Sequence, residues 1–180
     1  MLRITIPATE LWDERNERFI RTKEQTLQLE HSLVSISKWE STWGKPFLSK
    51  EIKTIDETID YVRCMTLTQN VNPNVYFALT DENLKLVNDY IDNPMTATTF
   101  SEDKSGKPNR EIITAEVVYY WMSALQIPME CQKWHFNRLL TYIRVSNIKN
   151  GPQKKMGKTE TLKSNAALNA ARRKQLNTKG

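Results

Sequence analysis

The spacing of apolar residues changes period near residue 36, and that change restricts the fold more than any other feature of the chain. Before it, Leu2, Ile4 and Ile6 alternate with Arg3 and Thr5, the two-residue period of a half-buried strand. Asp13-Glu14-Arg15-Asn16 reads as a turn between Leu11-Trp12 and Phe19-Ile20. A further extended run, Thr26 to Glu30, leads into Leu33-Val34-Ser35-Ile36. A small antiparallel sheet or a pair of hairpins is therefore expected over the first 36 residues. Beyond it the period becomes helical. Ser37 and Glu40 have capping-box spacing, so a short helix carrying Trp39 and Trp43 is expected, ended by Gly44 and Pro46.

Thr54 and Glu57 repeat the capping pattern, with Ile55, Ile59, Val62 and Met65 on one helical face. Asn72-Pro73-Asn74 breaks that helix. Thr80-Asp81-Glu82 starts another, in which Leu84, Val87 and Ile91 are spaced for burial, and Asn93-Pro94 stops it. Met95 to Asn109 is rich in Thr, Ser, Gly and Pro and reads as a loop with a turn at Asp103-Lys104-Ser105-Gly106. Two longer helices are expected over Arg110 to Gln126 and Glu130 to Asn150. Only Ile127-Pro128-Met129 separates them, which predicts an antiparallel helical hairpin in the core. The fold class is thus α+β and predominantly α: a small N-terminal β element, a helical core with a central hairpin, and a C-terminal extension.

Charge divides the chain at a second place, near residue 149. Lys149 to Gly180 holds nine basic residues and one acidic, a net +8, whereas residues 1–148 hold 17 basic and 20 acidic, a net −3. The expected organisation is one folded domain over 1–150 and a basic extension over 151–180, helical or flexible, beginning at Gly151-Pro152. Leu162, Ala166, Ala170 and Leu176 recur on one side of a helix in that extension. Its apolar surface is small and isolated helices of such length are marginal, so it is expected to order against a partner or its own body.

The inventory disfavours most chemistry. The five glycines are scattered singly, which excludes a glycine-rich phosphate loop. Cys64, Cys131, His31 and His135 are the right types for one zinc site, and Cys131 and His135 stand four apart on an expected helix. The remaining spacing fits no familiar zinc module, so no metal or other cofactor is expected. A nucleophile on a helix would lack oxyanion donors, so no catalytic residues are assigned. Trp134 and Arg138 share a helical face but Phe136 does not, which argues against a base-stacking platform and makes nucleic acid an unlikely partner. No apolar run spans a bilayer, the first residues lack a secretory leader, and two cysteines make no disulfide framework. The expectation is a cytoplasmic protein without a membrane partner.

Long stretches of the chain from about Leu29 to Gly180 carry a family resemblance. They are Leu29-Glu30-His31-Ser32-Leu33-Val34-Ser35-Ile36-Ser37-Lys38-Trp39-Glu40, Asp60-Tyr61-Val62-Arg63-Cys64-Met65-Thr66, and Pro94-Met95-Thr96-Ala97-Thr98-Thr99-Phe100. Arg110-Glu111-Ile112-Ile113-Thr114-Ala115-Glu116, Tyr119-Tyr120-Trp121-Met122, Glu130 through Leu140, and Asn165 through Arg173 complete the set. With these the chain resembles a family of small proteins from the tail modules of long-tailed bacteriophages, connected with tail assembly chaperones. The first 28 residues lie outside the resemblance. It implies a non-enzymatic morphogenesis protein in the host cytoplasm, with the phage tape-measure and tail-tube proteins as partners. A virion structural or connector protein, whose basic tail docks on neighbouring subunits, is the alternative. Candidate partner-binding residues are Trp39, Trp43, Tyr119 and Tyr120, as the walls of an apolar groove. Lys163, Arg172, Arg173 and Lys174 join them on the extension, whose further expected role is self-association through the tail.

Overall fold

The computed structural model describes residues 1–13, 17–100, 112–151 and 158–176. Four strands come first: β1 (Leu2–Ile6), β2 (Thr9–Asp13), β3 (Arg18–Thr22) and β4 (Gln25–Leu29). β1 pairs with β4 and β2 with β3, both antiparallel. Leu2 faces Leu29, Ile6 faces Gln25, Thr9 faces Thr22 and Asp13 faces Arg18, so partner numbers always sum to 31. The two sheets are therefore halves of one long hairpin that keeps its register across an interruption. Pro7, which has no N–H to donate, stands at that interruption. The expected turn at residues 13–16 falls mostly outside the described residues.

The interruption also exchanges the faces. In the first half Ile4, Ile6, Leu27 and Leu29 are buried. Unbroken alternation would bury Trp12 and Phe19 next. Instead Thr22 is buried, Leu11 packs against the core, and Trp12 and Phe19 point outward, their rings 4.9 Å apart edge to face.

Helix α1 (Leu33–Trp43) starts earlier than expected. Leu33 to Ile36, expected as strand, is its first turn. Its N-cap is Ser32, not Ser37: the Ser35 N–H donates to the Ser32 hydroxyl and the Ser32 N–H to the Ser35 hydroxyl. The earlier start puts Leu33, Ile36, Trp39 and Glu40 on one buried face, which a helix beginning at Lys38 would leave half unused. Gly44, at φ 62°, closes the helix by donating its N–H to the Glu40 carbonyl, a left-handed position suited to glycine.

Helix α2 (Ile55–Met65) has the expected Thr54–Glu57 capping box. Beyond it, the Leu67 N–H donates to the Gln28 carbonyl and the Glu30 N–H to the Met65 carbonyl, so the chain after α2 runs beside β4. Asn72 caps a 3-10 helix, Pro73–Ala78, where only a break was expected. Helix α3 (Asp81–Asp92) starts at Thr80 as expected, and Asn83 donates to the Thr5 carbonyl of β1.

Helix α4 (Ala115–Ala124) begins five residues later than expected, after a stretch outside the described residues. The helix expected from Glu130 is split into a 3-10 helix, Met129–Lys133, and α5 (Phe136–Asn150), with Trp134 extended between them. The split allows His135 to bridge Ser32 and the Phe136 N–H to donate to the His31 carbonyl. The connection from α4 to α5 is consequently longer than the three residues expected. Packing gathers around α1, which lies against both α2 and α4. Helix α6 (Lys158–Leu176) follows in the extension.

The architecture is α+β and mainly helical, with the β element first. The chain forms two compact units, Met1–Ile148 and Lys149–Gly180. No helix among the described residues is long and apolar enough to cross a membrane.

Candidate interaction surface

The four aromatic residues expected to wall a groove have different fates. Trp39 is only 1% exposed, and its indole N–H donates to the Glu57 carbonyl at 2.8 Å. Buried Trp normally finds such a partner, and here the bond fastens α1 to α2. Trp43 stacks on Trp39 and donates to the Asp60 carboxylate at 2.9 Å, leaving it half-buried. Tyr119 is also half-buried, its hydroxyl donating to Gln132. Tyr120 alone presents its ring to solvent, at 69% exposure. A continuous groove cannot use Trp39 without opening the core. The periodicity of α4 offered no means of separating Tyr119 from Tyr120, since both lie in one apolar-aromatic run.

The surface that is exposed and apolar lies elsewhere. Along α2, Ile55 is 76% exposed and Ile59, one turn on, is half-buried. Ile59, with Asp56, Asp60 and Arg63 of α2 and Pro73, Tyr76 and Phe77 of the 3-10 helix, lines a groove of about 380 Å³. Arg63 is held by Asp60 at 2.6 Å. Helical periodicity placed Ile55 on the buried face. It does not sit there because the first residue of α2 overhangs the core, which Val62 and Met65 reach.

The basic candidates are on α6. Lys163, Arg172, Arg173 and Lys174 are exposed, as are Leu162, Leu168 and Leu176.

Inside the first unit the polar groups are structural in their bonding. The Glu40 carboxylate, 8% exposed, accepts from the Phe47 N–H and the Ala115 N–H, both at 2.7 Å. Ala115 is the first residue of α4, whose own Thr114 makes no side-chain cap. Glu40 thus caps α4 from a distant part of the chain and complements its dipole.

A second buried group joins four segments. The His31 Nδ1 meets the Tyr61 hydroxyl at 2.5 Å, and its ring lies 5.1 Å from His135 and 5.6 Å from Phe136. His135 Nε2 donates to the Tyr90 carbonyl, and its buried Nδ1 has no hydrogen-bond partner in the structure. Burial, with His135 as a second cause, pushes the His31 pKa down to about 3, and burial also lowers that of His135. Both imidazoles are neutral at physiological pH. Burial raises Tyr61 above the ordinary phenol range and lifts the Cys64 thiol to about 11, so neither is an activated nucleophile.

The expected Cys131–His135 face does not form, because Cys131 belongs to the 3-10 helix and His135 lies before α5. Among the described residues no group of three or more His, Cys, Asp or Glu side chains is placed to hold a metal ion. The meeting of His31 with His135 had no sequence signal, since 104 positions separate them.

No family model matches the chain, and neither a curated protein nor a solved structure is significantly similar to it.

Proposed function

We propose that this chain is a non-enzymatic tail-morphogenesis protein of a long-tailed bacteriophage, binding the tape-measure or tail-tube protein in the host cytoplasm during assembly. The sequence resemblance is the source of this reading. One observation supports it most: three stretches behind the resemblance, Leu29 to Glu40, Asp60 to Thr66 and Glu130 to Leu140, converge on the buried group around His31, Tyr61, His135 and Phe136. Residues that meet this way build the architecture of the first unit. The exposed Leu and basic residues of α6 fit the moderate, reversible contacts that a client chain requires.

Co-expression with a tape-measure protein from the same phage genome tests the proposal. A complex that keeps the tape measure in solution, and that Leu162→Glu with Leu176→Glu weakens, is the expected result. Mass spectrometry of purified virions supplies the opposing outcome. Abundant recovery of the chain in mature particles favours a structural or connector role, because a chaperone leaves the assembled tail.

A further inference from the structure

We propose that the basic extension, through α6, binds the phosphate backbone of nucleic acid without regard to sequence. Residues 149–180 hold nine basic side chains and one acidic, a net +8, and form a compact unit of their own. On α6, Lys163, Arg172, Arg173 and Lys174 are exposed, and none makes an ion pair among the described residues. Lys163 and Lys174 stand three turns apart, so they share one side of the helix at a spacing of about 16 Å. Arg172, Arg173 and Lys174 are consecutive and fan out about 100° apart, over more than half of the circumference. The helix dipole accounts for cations in the last turn, Arg173 and Lys174. It does not account for Lys163, or for Lys154 and Lys155 ahead of the helix.

The kind of polyanion follows from what α6 lacks. Leu162 and Leu176 lie nearly four turns apart with Asn169 and Arg173 between them on that side, and Leu168 points another way, so the helix has no continuous apolar face. An anionic membrane holds helices that bury such a face beside their charge. A folded acidic protein draws its affinity from apolar anchors at the centre of the contact. The first unit of another copy is a weak attractor, since residues 1–148 carry only −3. Nucleic acid needs no apolar face. A duplex carries one negative charge per about 1.7 Å, so a helix of 19 residues, about 28 Å long, runs past about 16 phosphates. Each phosphate that a Lys or Arg neutralises releases condensed counterions, which supplies the binding free energy. Trp134 and Arg138, which offer no base-stacking platform, belong to the first unit and play no part in these contacts. The inference concerns the charge of the extension and stands whether or not the tape measure is a client.

Fluorescence anisotropy of a short labelled DNA duplex, titrated with the full-length chain, tests it. A Kd of about 10 µM at about 0.1 M salt is expected, with log K falling against log salt at a slope of about −4 to −7. A second duplex of unrelated sequence should bind within about twofold of the first. The combined variant Lys163→Gln, Arg172→Gln, Arg173→Gln and Lys174→Gln should bind at least about tenfold more weakly, with a slope shallower by about 3–4. Leu162→Ser with Leu176→Ser should stay within about twofold of wild type, because the contacts are ionic. All six positions are exposed, and circular dichroism checks that the variants remain folded. A wild type that shows no binding at about 0.1 mM protein in about 0.05 M salt overturns the proposal. So does a charge variant that binds like wild type, or a leucine variant that weakens as much as the charge variant. Phosphatidylglycerol vesicles or polyglutamate bound as tightly as the duplex also overturn it. A chain that fails these tests and still keeps the tape measure in solution leaves the proposed function standing, whereas loss of tape-measure binding with DNA binding intact refutes that function alone.

Discussion

Removing the carboxylate of Glu40 is expected to unfasten α4 from α1 without touching any apolar contact. In Glu40→Ala the N–H groups of Phe47 and Ala115 lose their acceptor in surroundings where both residues are under 10% exposed. Hydrogen bonds to a charged partner are worth about 1.5–3 kcal/mol each, and the desolvation released with the carboxylate offsets part of two such bonds. A net loss of about 3 kcal/mol follows. For a domain of this size that is roughly 6–12 °C in Tm. Glu40→Gln keeps one acceptor but turns an amide N–H toward a backbone N–H, and should lose about 2 kcal/mol. Urea unfolding of the full chain, followed by tryptophan fluorescence, reads the change as a lower midpoint at nearly constant slope. A loss below about 1 kcal/mol in Glu40→Ala would refute the reasoning, because both N–H groups would then be finding water.

Three further outcomes follow from other contacts. Folded His31 titrates near 3 against 6.5 when unfolded, so the unfolded chain takes up the extra proton first as pH falls. Stability is complete above about pH 6.5 and declines below it, by about 2 kcal/mol at pH 5, and His31→Gln should flatten that slope in urea titrations run from pH 7 to 5. Ser32→Ala should cost about 1 kcal/mol and Ser37→Ala within about 0.5 in the same assay, because only Ser32 caps α1; equal losses would contradict the helix start. Tyr61→Phe removes the hydroxyl that joins His31 and lies near Ser35, and should lower stability by about 1–2 kcal/mol in thermal melts, whereas Tyr120→Ala should leave Tm within about 2 °C.

Local rules made some of these elements legible. Thr54 with Glu57, and Thr80 before Asp81, announced two helix starts correctly because a cap is a bond between residues three apart. Gly44 and Pro94 marked ends for reasons equally local. Ser37 misled for the same cause: its spacing to Glu40 obeys the rule, but Glu40 is drawn away to Phe47 and Ala115, and the burial of Leu33 and Ile36 moves the start back to Ser32. Alternation in β1 was readable, whereas the exchange of faces after Pro7 was not, because two-residue periodicity says nothing about which side of a distal ribbon meets the core.

What the chain determined by itself was therefore short-range: the β-then-α order, most caps, and the separation of an acidic body from a basic extension. Each depends on residue type and near-neighbour spacing, where steric and hydrogen-bonding preferences act. Tertiary structure alone decided which aromatics are buried, that Trp39 ties α1 to α2 while Tyr120 faces water, and that His31 meets His135. It also left Ile55 and Phe77 exposed. Those outcomes depend on surfaces brought together from distant parts of the chain, and burial is a property of the assembled neighbourhood rather than of the residue.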